Sequence, residues 1–230
     1  MAGTRVPGFS PSVNGLRFPN AFPKGPLLHV AGIPIGNASN GICGGMAFAA
    51  RDLFEAGLPP PADTSPPAPG TPLFGYLVRR LFASFDLPLG PIRYLLWMVL
   101  PKGNRFGIHG VAWRTIRHHW PRIRSDLDRG ILPPLGLVRA RGNPLELGRN
   151  HQVLAFGYDL DETTASLAVH VYDPNRPGDD SVALRLSLAD PDRPTPIEYE
   201  GGEYPVFGFF RTGYSRPDAD AVRRVGVTPG

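Results

Sequence analysis

Three residue types able to work together as a nucleophile, a base and an orienting acid are spread widely along this chain. The single cysteine, Cys43, lies in the run Asn40-Gly41-Ile42-Cys43-Gly44-Gly45-Met46. His151 opens the run His151-Gln152-Val153, and Asp173 follows Tyr172 and precedes Pro174 and Asn175. A thiolate attacks carbonyl carbon well, provided that an imidazole can take the thiol proton and a carboxylate fixes the tautomer of that imidazole. Met46, Ala49, Ala50, Leu53 and Phe54 recur at helical spacing, which predicts a helix over 41–56 with Arg51, Asp52 and Glu55 on its polar side. Cys43 would then sit at the positive end of that helix, where unpaired N–H groups lower a thiol pKa. The flanking Gly44 would let a substrate backbone approach closely.

The histidine and the aspartate are brought together by strand pairing. Residues 152–158 and 166–172 alternate as strands do, with the polar stretch 159–164 between them, so 152–172 reads as a hairpin. The far ends of two hairpin strands lie side by side, which makes His151 and Asp173 neighbours. Asn175 is a rival orienter, two residues further on.

Stepping outward, further helices are predicted over 73–85 and 111–129, with Pro121 marking a kink or a break in the latter. Strands are predicted over 135–140, 182–188, 196–199 and 206–214. Helices followed by antiparallel strands imply an α+β fold of one domain over 1–230. Its helical lobe would occupy about 41–130 and its β lobe about 131–215, with extended arms at 1–40 and 216–230.

These motifs resemble those of the papain-like cysteine-peptidase superfamily, most closely the bacterial C39-like peptidases. The shared features are Cys43-Gly44 on a helix, His151-Gln152-Val153 opening a strand, Gly157-Tyr158-Asp159 at a hairpin turn, and Asp173-Pro174 ending a strand. The resemblance covers the motifs and their order, not the segment 58–140. It implies a helical lobe packed on an antiparallel sheet, a peptide or protein substrate, and hydrolysis or acyl transfer without a cofactor. The same order of Cys, His and Asp occurs in transglutaminase-like enzymes and arylamine acetyltransferases. A glutamine deamidase and a catalytically silent binding domain are therefore alternative readings. The superfamily usually places a glutamine about six residues before the cysteine to donate to the oxyanion, alongside the cysteine N–H. Here that position is Asn37, one methylene shorter. Asn40 is a second candidate, or a helix N-cap.

Composition narrows the remaining classes. The chain has 230 residues, 42% of them apolar and 19% charged, enough for a sizeable core. One cysteine leaves no intramolecular disulfide and no multi-cysteine zinc site. The adjacent His118 and His119 do not share a helix face, and Asp173, Asn175, Asp179 and Asp180 match no calcium-loop spacing, so no metal site is expected. Residues 79–149 hold thirteen Lys/Arg against four Asp/Glu, a net +9, whereas 150–230 hold seven against thirteen, a net −6. A basic middle of this kind can steer an acidic substrate. No nucleic-acid motif accompanies it, so nucleic acid is not an expected partner. No apolar run has the length of a signal peptide or a membrane span, which predicts no membrane partner and a cytoplasmic or non-classically exported protein. Oligomeric state is not legible.

Overall fold

The computed structural model describes residues 2–25, 28–30, 33–35, 41–86, 89–201 and 205–226. In chain order the elements are β1 (Ala2–Arg5), α1 (Pro11–Asn14), β2 (Leu28–Val30), β3 (Ile33–Ile35), α2 (Cys43–Glu55), α3 (Pro72–Ser84) and α4 (Leu89–Val99). α5 (Val111–Trp113), a π-helical stretch Arg114–His119 and α6 (Trp120–Asp128) then run on as one continuous helix. β4 (Pro134–Val138), a 3-10 turn Pro144–Arg149, β5 (His151–Asp161), β6 (Ser166–Tyr172), β7 (Ala183–Ser187), β8 (Glu198–Tyr199), β9 (Gly208–Arg211) and α7 (Ala219–Gly226) complete the order. The class is mixed helix and antiparallel sheet, with helices dominating the first half and strands the second.

The sheet runs β8-β7-β6-β5-β4-β9, with β1 added beside β5. β5 is the longest strand and organises the rest. Its start pairs with β4 and its end with β1 along one edge, while β6 lies along the other. A register shift between Ala155 and Gly157 bends it where the partner changes from β4 to β1, and the sheet curls.

α2 is the hub between two apolar cores. Ala47 and Ala50 pack with Ile116, Trp120, Ile123 and Leu127 onto the sheet residues Leu135, Val153 and Val171. On its other side Met46, Ala49 and Leu53 meet Leu77 and Leu81 of α3 and Val222 of α7. With apolar layers on both sides, α2 has no fully solvated face. Arg51 and Asp52, on the polar side of the helix, are therefore buried. Asp52 accepts hydrogen bonds from Tyr76 (2.7 Å), Arg80 (2.6 and 3.0 Å) and Tyr214 (2.6 Å). Arg51 donates to the Leu132 carbonyl and lies 3.6 Å from the centroid of the Tyr214 ring. A buried charge survives only when paired and hydrogen-bonded in this way.

The extended arms expected at 1–40 and 216–230 are also corrected. β1 is a sheet strand, and Leu16, Phe18 and Phe22 are buried in the α2–α3 core. α7 inserts Val222 and Val225 into the same core. Burial of these apolar side chains outweighs the loop-like Gly and Pro content of the first segment. Pro121 does not break its helix, which runs on through it. The hydrogen-bonding register widens to π over Arg114–His119, next to the proline that lacks a donor. Among the described residues, no helix is long and apolar enough to cross a membrane.

Candidate functional site

α2 starts where the chain can turn sharply. Gly41 has φ +82, and Ile42 at the N-cap offers no side-chain cap to the first turn. The N–H groups at the head of α2 therefore present their partial positive charge beside Cys43. Asn20 holds this start from outside the helix. Its Oδ1 accepts from the Ile42 N–H at 2.7 Å, and its Nδ2 donates to Asn175 Oδ1 at 3.2 Å. The Asn20 N–H donates to the Pro174 carbonyl at 2.9 Å. One asparagine thus ties the head of α2 to the turn that follows β6.

β5 supplies the histidine and the end of β6 the aspartate. His151 Nε2 donates to Asp173 Oδ1 at 2.6 Å, with both side chains buried. Cys43 lies beside the same imidazole, close enough for the charge of His151 to act on its thiol. Because Nε2 faces Asp173, Nδ1 is the nitrogen left for the thiol. Tyr94 of α4 donates its hydroxyl to the His151 carbonyl at 3.1 Å and steadies the first residue of β5.

Asp173 is held at both oxygens. The Asn175 N–H donates to Oδ1 at 2.8 Å and the Tyr199 hydroxyl to Oδ2 at 2.6 Å. A Cβ at Gly201 would lie 2.3 Å from Asp173 Oδ2 and 2.1 Å from the Tyr199 hydroxyl oxygen, so only bare backbone fits over this pair. Asn175 Nδ2 reaches His151 Nε2 at 3.4 Å, longer than the Asp173 contact. Asn175 is thus mainly a turn residue that supports Asp173.

The electrostatics of the three groups favour a charged pair. Burial pushes the Cys43 thiol up, but the charge and hydrogen bond of His151 and the backbone N–H of Gln152 outweigh it, and the thiol falls below its ordinary value. For His151, burial acts downward, while Cys43 and Asp173 together raise it well above the usual imidazole range. Burial likewise pushes the Asp173 carboxyl up, and His151, Tyr199 and the Asn175 N–H bring it below the usual carboxylate range. These shifts all act toward a thiolate beside an imidazolium.

The structure thus brings Cys43, His151, Asp173 and Asn175 together. Asn37 and Asn40 lie outside the described residues. Gly44 is corrected in role, because a Cβ there would lie 2.2 Å from Ser84 Oγ and 2.7 Å from Gln152 Oε1. Its smallness serves the packing of α2 against α3 and β5, not the approach of a ligand. The loop acids are engaged separately. Asp179 accepts from Ser181 and Asp180 from Ser12. Among the described residues, no group of three or more His, Cys, Asp or Glu is placed to hold a metal.

Sequence reasoning missed Asn20 and the second support of Asp173. Asn20 sits in a Pro-rich stretch with no periodicity to mark it. Tyr199 was visible only as an aromatic near the end of the chain, without a signal placing it at the site. No family model matches the chain, and no curated protein or solved structure matches it.

Proposed function

We propose that the chain is a thiol-dependent hydrolase or acyl-transfer enzyme of papain-like type, most simply a peptidase, with Cys43 as nucleophile, His151 as acid–base and Asp173 as orienter. The observation that carries this reading is one imidazole that lies beside a helix-head thiol and is bonded to a buried, doubly supported carboxylate. The Cys43 sulfur would add to an amide carbonyl carbon as the carbonyl electron pair moves to oxygen. The Cys43 N–H, at the head of α2, is the expected donor to that oxyanion. Collapse would break the C–N bond, and the departing nitrogen would take the proton from the His151 imidazolium. Water would then attack the thioester, His151 would accept its proton, and the thiolate would leave. The steps balance with substrate and water alone.

The test is acylation by an activated ester, with the modified residue mapped by mass spectrometry. The reading predicts a burst of acylation on Cys43 that is lost in Cys43→Ala and strongly slowed in His151→Ala. Acylation of Cys43 no faster than that of a free cysteine derivative would contradict it.

A further inference from the structure

A second cluster of charge lies away from the cysteine, in the basic middle of the chain. Arg114, His118 and Arg122 occur at intervals of four and form one stripe along the helix that runs through the π-helical stretch into α6. The stripe faces a cavity of about 350 Å³ that Arg93 of α4 and Arg211 of β9 also line. Trp97 and His119 line the inner part, both buried.

The charges around this cavity are poorly neutralised. Arg211 is paired with Asp126. Arg93, Arg114 and Arg122 have no ion-pair partner among the described residues. Arg93 donates to the Arg211 carbonyl (3.4 Å) and lies 5.6 Å from the centroid of the Phe210 ring, Arg114 donates to the His109 carbonyl (3.1 Å), and Arg122 contacts His118 Nε2 (3.0 Å). The one carboxylate on the lining is Asp86, which is exposed and lies over Gly213 with Oδ2 3.2 Å from the position of a Cβ there. His119 accepts from the Arg211 N–H through Nδ1 at 3.3 Å, which leaves its Nε2 to carry the proton as a neutral donor. Burial and the surrounding cations push His119 down to about 3, so it stays neutral at physiological pH.

We propose that this cavity binds a compound carrying a phosphate or pyrophosphate group. Three guanidiniums from α4 and two turns of the adjoining helix, without a carboxylate partner among the described residues, call for a ligand with at least two negative charges and several acceptor oxygens. A lone carboxylate offers one charge and two oxygens. Phosphate offers the greater charge and matches the fork of the guanidinium. The volume is in the range of small-molecule sites. The phosphate can belong to a soluble compound or to a phosphorylated lipid headgroup.

The test is calorimetric titration of the full chain with inorganic pyrophosphate, together with sedimentation on phosphatidylcholine vesicles with and without a phosphorylated inositol lipid. Saturable pyrophosphate binding assigns a soluble ligand, and retention on the phosphoinositide vesicles alone assigns a headgroup. In either case Arg114→Gln and Arg122→Gln should each weaken binding about tenfold, the worth of one charge-assisted contact. Arg216→Gln, an exposed arginine that does not line the cavity, should leave it unchanged. Absence of binding in both arms would overturn the proposal. So would equal weakening by all three substitutions, which marks a diffuse charge effect.

Discussion

At the scale of single residues, the site is a chain of positioning contacts that ends on one sulfur. Tyr199 and the Asn175 N–H fix Asp173, Asp173 fixes His151, and His151 sets the charge of Cys43. Tyr199→Phe leaves one oxygen of a buried carboxylate without its hydroxyl donor. It should cost about 1–3 kcal/mol of stability in urea unfolding, the usual penalty of such an orphaned group. On the proposed reading, Asp173→Asn should retain more activity than His151→Ala, because an amide can still orient an imidazole while no other group can carry the proton. Residual rates with whichever acyl donor labels Cys43 would rank the two, and equal loss would argue against the orienting role.

At the scale of elements, α2 is positioned by close approach. Gly44→Ala puts a methyl against Ser84 and Gln152 and should destabilise the fold by about 1–3 kcal/mol, as overpacking does. Adding Ser84→Ala removes the nearest clashing atom and should restore part of that loss in chemical denaturation. A Gly44→Ala protein of unchanged stability but impaired acyl transfer would return Gly44 to the role of admitting substrate. The sequence made some elements plain and hid others. α2, α3, the long helix and the β5–β6 hairpin were legible because their apolar residues recur at helical or strand spacing. The hairpin was enough to pair His151 with Asp173. α4 was hidden, since a short helix rich in apolar residues reads only as an apolar run, and Tyr94 was lost with it. β1 and α7 were hidden because too few residues repeat in four or eight positions to set a period. The burial of Arg51 and Asp52 was not legible, because it comes from α3 and Tyr214 packing over the polar side of α2, a tertiary fact with no local signal.

Across the whole molecule, buried charge holds α2 to the α3 layer. Arg80 and Asp52 form an ion pair with side chains almost wholly removed from water. Asp52→Asn strands the Arg80 guanidinium and should cost about 3–5 kcal/mol in urea unfolding. The site also links stability to pH. The Asp173 carboxyl is lowered in the native state, so its contribution is present above the unfolded value of about 3.9 and is lost as pH falls through the native value below it. Asp173→Asn should therefore be less stable than the parent by about 3 kcal/mol at pH 6. The gap should narrow as acid protonates the parent's carboxylate, a trend that unfolding curves between pH 6 and pH 3 would follow.

If His151 holds Cys43 as a thiolate at neutral pH, the rate of iodoacetamide alkylation against pH reports it. The parent protein should show a midpoint well below the free-cysteine value of about 8.5. His151→Gln removes the charge and the hydrogen bond that lower the thiol and leaves its burial, so the midpoint should rise above 8.5. A parent midpoint at or above 8.5, or one that does not move in His151→Gln, would contradict the account.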